Sequence, residues 1–151
     1  MTPKIQKALK EDLLAQPEPC NQPMTITLPI PPSVNAIYYT GGDGRRHLTT
    51  AGRRWKRDAA NEAWAAALEQ HWKLCCLSTV IIELRVWWRD NSRRRDVSNL
   101  HKLLADSLEG IVYLDDKQSL LRDMDVGVDR ERPRVELTIW QKEGEGPDER
   151  T

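Results

Sequence analysis

Hydrophobic and polar positions change rhythm several times along the chain, and each change marks an element. Over residues 79–89, Val80, Ile82, Leu84, Val86 and Trp88 alternate with Ile81, Glu83, Arg85 and Trp87. Alternation of this length marks a strand with one face on a core, and this is the strongest strand in the sequence. Residues 24–28 alternate likewise, and Pro29, Pro31 and Pro32 forbid their continuation as a central strand. Short runs at 37–40 and 46–48 flank Gly41-Gly42-Asp43-Gly44 and predict a small hairpin. Residues 120–128 and 134–140 read as two more strands, expected to pair antiparallel across the turn at 129–133.

The rhythm becomes helical elsewhere. After Thr49 and Thr50, either of which can act as N-cap, an alanine-rich, proline-free stretch runs to about residue 72. It sets Trp55, Ala59, Ala63 and Ala66 on one face, where small side chains permit close approach to a sheet or a partner helix. At about 100° per residue, Leu100, Leu103, Leu104, Ser107, Leu108 and Ile111 form the buried face of a second helix. Asn99, Lys102 and Asp106 share another strip, Ser98 or Asp96 can cap the start, and Gly110 closes the end. Ile5, Ala8, Leu9 and Leu13 suggest a short amphipathic helix broken by Pro17, Pro19 and Pro23.

The element order, β, hairpin, α, β, α, β, β, predicts a single α/β (α+β) domain with a mixed β-sheet and helices packed on it. Residues 1–23 read as an appendage and linker, 24–142 as the domain, and 143–151 as a mobile acidic tail.

Composition narrows the class. With 39% hydrophobic and 30% charged residues, the chain suits a soluble globular protein. No run approaches the ~20 apolar residues that span a bilayer, so no membrane role is expected. The N-terminus lacks a signal-peptide pattern, and the three cysteines include the adjacent Cys75-Cys76 and no zinc spacing. A reducing cytoplasm is the expected setting.

The 23 basic and 23 acidic residues cancel, so no global charge draws the protein to nucleic acid. Local charge is segregated. Arg53, Arg54 and Arg57 lie near the start of the first long helix, where cations oppose the helix dipole; a DNA backbone would justify the cost, and a merely solvated basic face is the equal alternative. Arg93, Arg94 and Arg95 precede Asp96, Ser98, Asn99 and Lys102, and Asp115-Asp116 follow one helix later. Taken singly, these are ordinary caps, turns and exposed pairs. Together they place carboxylates for a divalent cation beside cations for phosphate.

Order and spacing over residues 25–140 resemble the RusA family of Holliday junction resolvases. The resemblance rests on Leu28-Pro29-Ile30-Pro31-Pro32-Ser33-Val34-Asn35, on Arg94-Arg95-Asp96-x-x-Asn99-x-x-Lys102, on Asp106-Ser107-Leu108-Glu109-Gly110, and on Leu114-Asp115-Asp116-x-Gln118. It implies a RusA-like endonuclease domain at 24–142, acting as a homodimer that cuts branched DNA with Mg2+ or Mn2+. It further implies metal ligation by Asp96, Asp116 and neighbouring Asp115. Lys102 would stabilise charge on the phosphoryl oxygens, completing a catalytic set of Asp96, Asp116 and Lys102. The arginines at 93–95 with Asn99, Arg53, Arg54 and Arg57 would hold the DNA. The family pattern is Asp-x-Asp-Asn, and Ser98 stands where its second aspartate belongs. A hydroxyl ligates weakly and carries no charge, so the alternative implied is a junction-binding protein with weak or lost cleavage.

Overall fold

The computed structural model describes residues 11–12, 17–32, 37–91 and 97–142, though not the side chains of Ser98 and Asn99. The helix expected over 5–14 falls outside these residues except for Glu11 and Asp12, which are helical, and the expected tail at 143–151 falls wholly outside them.

Among the described residues, two long helices pack on one four-stranded sheet. The elements in chain order are β1 (Met24–Leu28), the hairpin β2 (Tyr38–Thr40) and β3 (Arg46–Leu48), α1 (Thr50–Glu69), β4 (Val80–Trp88), α2 (Val97–Leu108), a 3-10 turn (Asp116–Gln118), β5 (Ser119–Val128) and β6 (Arg134–Gln141). The sheet order is β1-β6-β4-β5, with β6 antiparallel to both its neighbours and β4 parallel to β5. This is the mixed-sheet α+β architecture that the hydrophobic rhythm predicts.

One expectation is overturned. β5 and β6 do not pair with each other, because β4 lies between them. β4 is buried or half-buried along its whole length and gains a partner on each side, whereas residues 122–126 of β5 are all exposed, as suits an edge. The connection at 129–133 therefore crosses the end of β4, where the Asp129 N–H donates to the Trp88 carbonyl at 2.8 Å.

One face of the sheet carries Met24, Ile26, Leu28, Ile82, Leu84, Val86, Trp88, Val135, Leu137 and Ile139 into the core. α1 contributes Trp55, Ala59, Ala63 and Ala67, so its alanine face packs into the core with Trp88 of the sheet. Gly52 permits the close approach at the start of α1, since a Cβ there would lie 2.6 Å from the Ile37 carbonyl oxygen. Thr49 caps this helix by accepting from the Gly52 N–H at 3.0 Å. Among the described residues, no helix packs on the opposite sheet face. Arg134 covers it by stacking 5.5 Å from the Trp87 ring centre and pairing with Glu136 and Asp129 at 2.6 and 2.8 Å.

Candidate active site

Burial of Leu100, Leu103, Leu104 and Leu108 fixes the rotation of α2 and turns Lys102, Asp106 and Glu109 toward its outer side. The helix ends at Leu108, and Gly110 adopts φ +84°, the left-handed geometry that reverses the chain. Tyr113 anchors the reversed segment, since it is fully buried and its hydroxyl donates to the Ala105 carbonyl at 2.5 Å. Burial, reinforced by nearby Asp116, Glu109 and Asp106, holds that phenol above its ordinary pKa.

The chain then enters the 3-10 turn through a capping box. Asp115 accepts from the Lys117 N–H at 3.0 Å, and the Gln118 side chain accepts from the Leu114 and Asp115 N–H groups at 3.1 and 2.9 Å. Buried Gln118 is fully used, because its amide nitrogen also donates to the Cys75 and Ser78 carbonyls, both at 3.0 Å.

This turn returns Asp116 to the end of α2. Ligand oxygens of Asp106, Glu109 and Asp116 all lie within 4.8 Å of one another. Repulsion is visible in their acidity. A hydrogen bond that its protonated form donates to Asp115, then burial and the charges of Asp115 and Asp106, hold Asp116 above the usual carboxylate range. Burial first, then the charges of Asp116, Asp115 and Asp106, raise Glu109 against the opposing pull of Lys56. Tyr38 stands near Asp106, whose charge adds to burial in raising the phenol, and the Arg46 guanidinium stacks 4.5 Å from the centre of its ring.

The sequence-derived residues divide accordingly. Asp116 enters the cluster, while Asp115 caps the turn and bonds to Asp116. Lys102 is exposed one helical turn before Asp106. Asp96 and Arg93, Arg94 and Arg95 lie outside the described residues, and Ser98 and Asn99 occupy the first turn of α2 with their side chains outside them. Val97 and Asp106 are nine residues apart, about 13 Å of helix rise, so the cluster occupies the far end of α2 from Val97. Arg53 donates to the Leu48 carbonyl at 2.8 Å and braces the entry to α1, and Arg57 lies 3.7 Å from Asp58. Arg54 instead borders an open cleft of about 690 Å³ with Arg89, over Pro29, Pro31, Trp55 and Trp88.

Asp106 and Glu109 were not foreseen as site residues. Their i, i+3 spacing on one helix side, followed at once by a glycine reversal, was the available signal.

Fold and site define a class: a small α+β domain in which three carboxylates gather at a helix end beside lysine and arginine side chains, the charge pattern of a phosphodiester-cleaving protein. The family model described as Endodeoxyribonuclease RusA matches residues 29–140, well over half of the chain. The chain thus belongs to the RusA endodeoxyribonuclease family, and the activity this indicates is endonucleolytic resolution of Holliday junctions. Resolvases of this family bind branched DNA and are metal-dependent. No curated protein matches the chain. Among the described residues, no helix is long and apolar enough to cross a membrane.

Proposed function

We propose that this protein is a metal-dependent endodeoxyribonuclease that hydrolyses phosphodiester bonds at symmetric points of four-way junctions, working as a cytoplasmic homodimer with Mg2+ or Mn2+. The observation that carries the reading is the convergence of Asp106, Glu109 and Asp116 within 4.8 Å. Their hard oxygen donors suit either ion, and the neighbouring carboxylate charge, which adds to burial in raising Glu109 and to the Asp115 hydrogen bond in raising Asp116, is what a divalent cation relieves. An ion held by these three would supply Lewis acidity and charge neutralisation at the scissile phosphate.

The protein's own groups do the rest. Water adds to phosphorus as a bridging P–O bond breaks, and Lys102, one turn from Asp106, opposes the charge gathering on the non-bridging oxygens. Lys56 adds positive potential from α1. Arg54 and Arg89 at the cleft, with the run Arg93–Arg95 that follows in sequence, hold the flanking strand. By sequence, Asp96 and Ser98 belong to the other end of α2, and a strand lying along the helix would meet them, then Lys102, then the acidic cluster. Homodimerisation is supported by the twofold symmetry of the substrate, which offers two equivalent cleavage points.

Ser98 favours a second reading, a junction-binding protein with weak or lost cleavage, since it removes one carboxylate from the family pattern. One experiment separates the two. A labelled four-way junction and a linear duplex are incubated with protein in magnesium or manganese, with Asp116→Asn and Asp96→Asn as controls. Paired symmetric cuts lost in Asp116→Asn support the nuclease. Tight junction binding without cuts leaves only the binding reading.

A further inference from the structure

The family match begins at residue 29, yet the structure ties the segment before β1 into the back of the acidic site. Three consecutive backbone N–H groups, those of Cys76, Leu77 and Ser78, point at the carboxylate of Glu18. One of its oxygens accepts from all three at 3.0, 3.2 and 3.1 Å, and the other accepts from Cys76 and Leu77 at 3.1 and 3.2 Å. Successive amides facing one way form a concavity that favours an anion, and here the chain supplies its own.

The same segment is stapled at two further points. Asn21 accepts from the Lys73 N–H at 2.8 Å while its amide nitrogen donates to the Lys73 carbonyl at 2.8 Å. Gln141, at the end of β6, donates to the Pro19 carbonyl at 2.7 Å and to the Ser78 hydroxyl at 2.9 Å. The strap, the 73–78 loop and the end of the sheet form one hydrogen-bonded unit.

That loop is the support on which the catalytic turn rests. The Cys75 carbonyl accepts from the Leu114 N–H at 2.9 Å, and the Cys75 and Ser78 carbonyls hold the amide of Gln118. Through its other end Gln118 fixes the N–H groups of Leu114 and Asp115, and the next residue is Asp116. A continuous path of hydrogen bonds therefore runs from Glu18 through the loop and Gln118 to the aspartate pair.

We infer that Glu18 is a positioning residue for the acidic site, holding the 76–78 loop so that Gln118 presents Asp116 to Asp106 and Glu109. The inference rests on the proposed metal-site reading for its functional consequence, but not for its structural one. A negative charge on three amide donors cannot be matched by a neutral side chain, since Gln turns an N–H2 toward them and Ala offers nothing. Loss of that anchor leaves the core untouched and loosens the turn that carries Asp116. Partners that orient metal ligands typically carry 10- to 100-fold effects on affinity, and Glu18 acts one link further back, so a decrease of about 5-fold is expected.

The test uses the full chain with Glu18→Gln and Glu18→Ala. Amide hydrogen exchange is followed without metal, Mn2+ affinity is measured by calorimetry, and junction affinity is measured in EDTA. The expected result is faster exchange at the Leu114 and Asp115 amides, Mn2+ binding weakened about 5-fold, and unchanged junction affinity. Helix α1 should exchange as in the wild type, which separates a positioning role from general destabilisation. Wild-type protection at Leu114 and Asp115 together with wild-type Mn2+ affinity in both variants would overturn the inference. If the wild type binds no Mn2+ at all, the metal-site reading fails by itself, and the exchange arm alone decides whether Glu18 positions the turn.

Discussion

Replacing Asp116 by Asn should make the metal-free protein more stable while abolishing its response to metal. The Asp116 carboxyl has two like-charged neighbours in Asp106 and Glu109, with ligand oxygens within 4.8 Å. At such separations each repulsion is about 1 kcal/mol in a water-like dielectric. Lys117 and solvent screening offset part of this, leaving a net gain of about 1 kcal/mol when the charge is removed. For a domain of this size that corresponds to a rise of about 3 °C in Tm. The amide keeps its shape and can still bond to Asp115. The pH dependence has a defined sign. Folding raises the pKa of Asp116 and Glu109, so their contribution to stability is fully present below their unfolded values and is lost as pH rises through their folded ones. The advantage of Asp116→Asn should therefore appear at neutral pH and vanish in acid. Added Mn2+ reverses the order: at 100 times Kd it stabilises the wild type by about 2.7 kcal/mol and leaves the variant nearly unmoved. Thermal melts in EDTA and across a Mn2+ titration, at low and high salt, follow both effects. A lower Tm for the variant in EDTA, or equal Mn2+ stabilisation of both proteins, would refute the reasoning.

Three further outcomes follow from the same geometry. Gln118→Leu leaves the Leu114 and Asp115 N–H groups and two carbonyls without their side-chain partner, costing about 2–4 kcal/mol by denaturant unfolding. Gly52→Ala drives a methyl to 2.6 Å from the Ile37 carbonyl oxygen, which should destabilise by about 1–3 kcal/mol in the same assay. Cys75 is fully buried and its thiol is pushed up to about 12, first by burial, so iodoacetamide at pH 8 should label exposed Cys20 and spare Cys75 until the protein is denatured, as read by peptide mass.

Elements held by local chemistry were legible in the sequence. Thr49 before an alanine-rich stretch, the leucine face of the second helix with Gly110 behind it, and the alternation of 80–88 each carry their own instructions. Sheet order did not, because pairing depends on which strand most needs covering on both sides, and only the assembled sheet shows β4 taking that place. The site was legible in part. Asp115-Asp116 stood out as a pair, but Asp106 four residues after Lys102 has the spacing of a surface ion pair, and nothing local says that it faces Asp116 instead. That relation exists only after Gly110, Tyr113 and the Gln118 cap have folded the chain back. Glu18 was less legible still, a single carboxylate between two prolines whose partners lie 58 to 60 residues away.

The placement of β6 bears on the order in which the molecule can be completed. Among the described strands it is the last to leave the ribosome, yet it sits between β1 and β4, pairing Ile26 with Leu137 on one side and Ile82 with Ile139 on the other. Until residues 134–141 emerge, β1 has no neighbour in the sheet, and the βαβ unit that carries the carboxylates has one long edge open. Closing the β1–β6 pairing brings together residues more than a hundred positions apart, a contact pattern that folds slowly and late. A ribosome-bound chain lacking its C-terminal strand therefore has Asp106, Glu109 and Asp116 already made, but not the finished sheet beneath them.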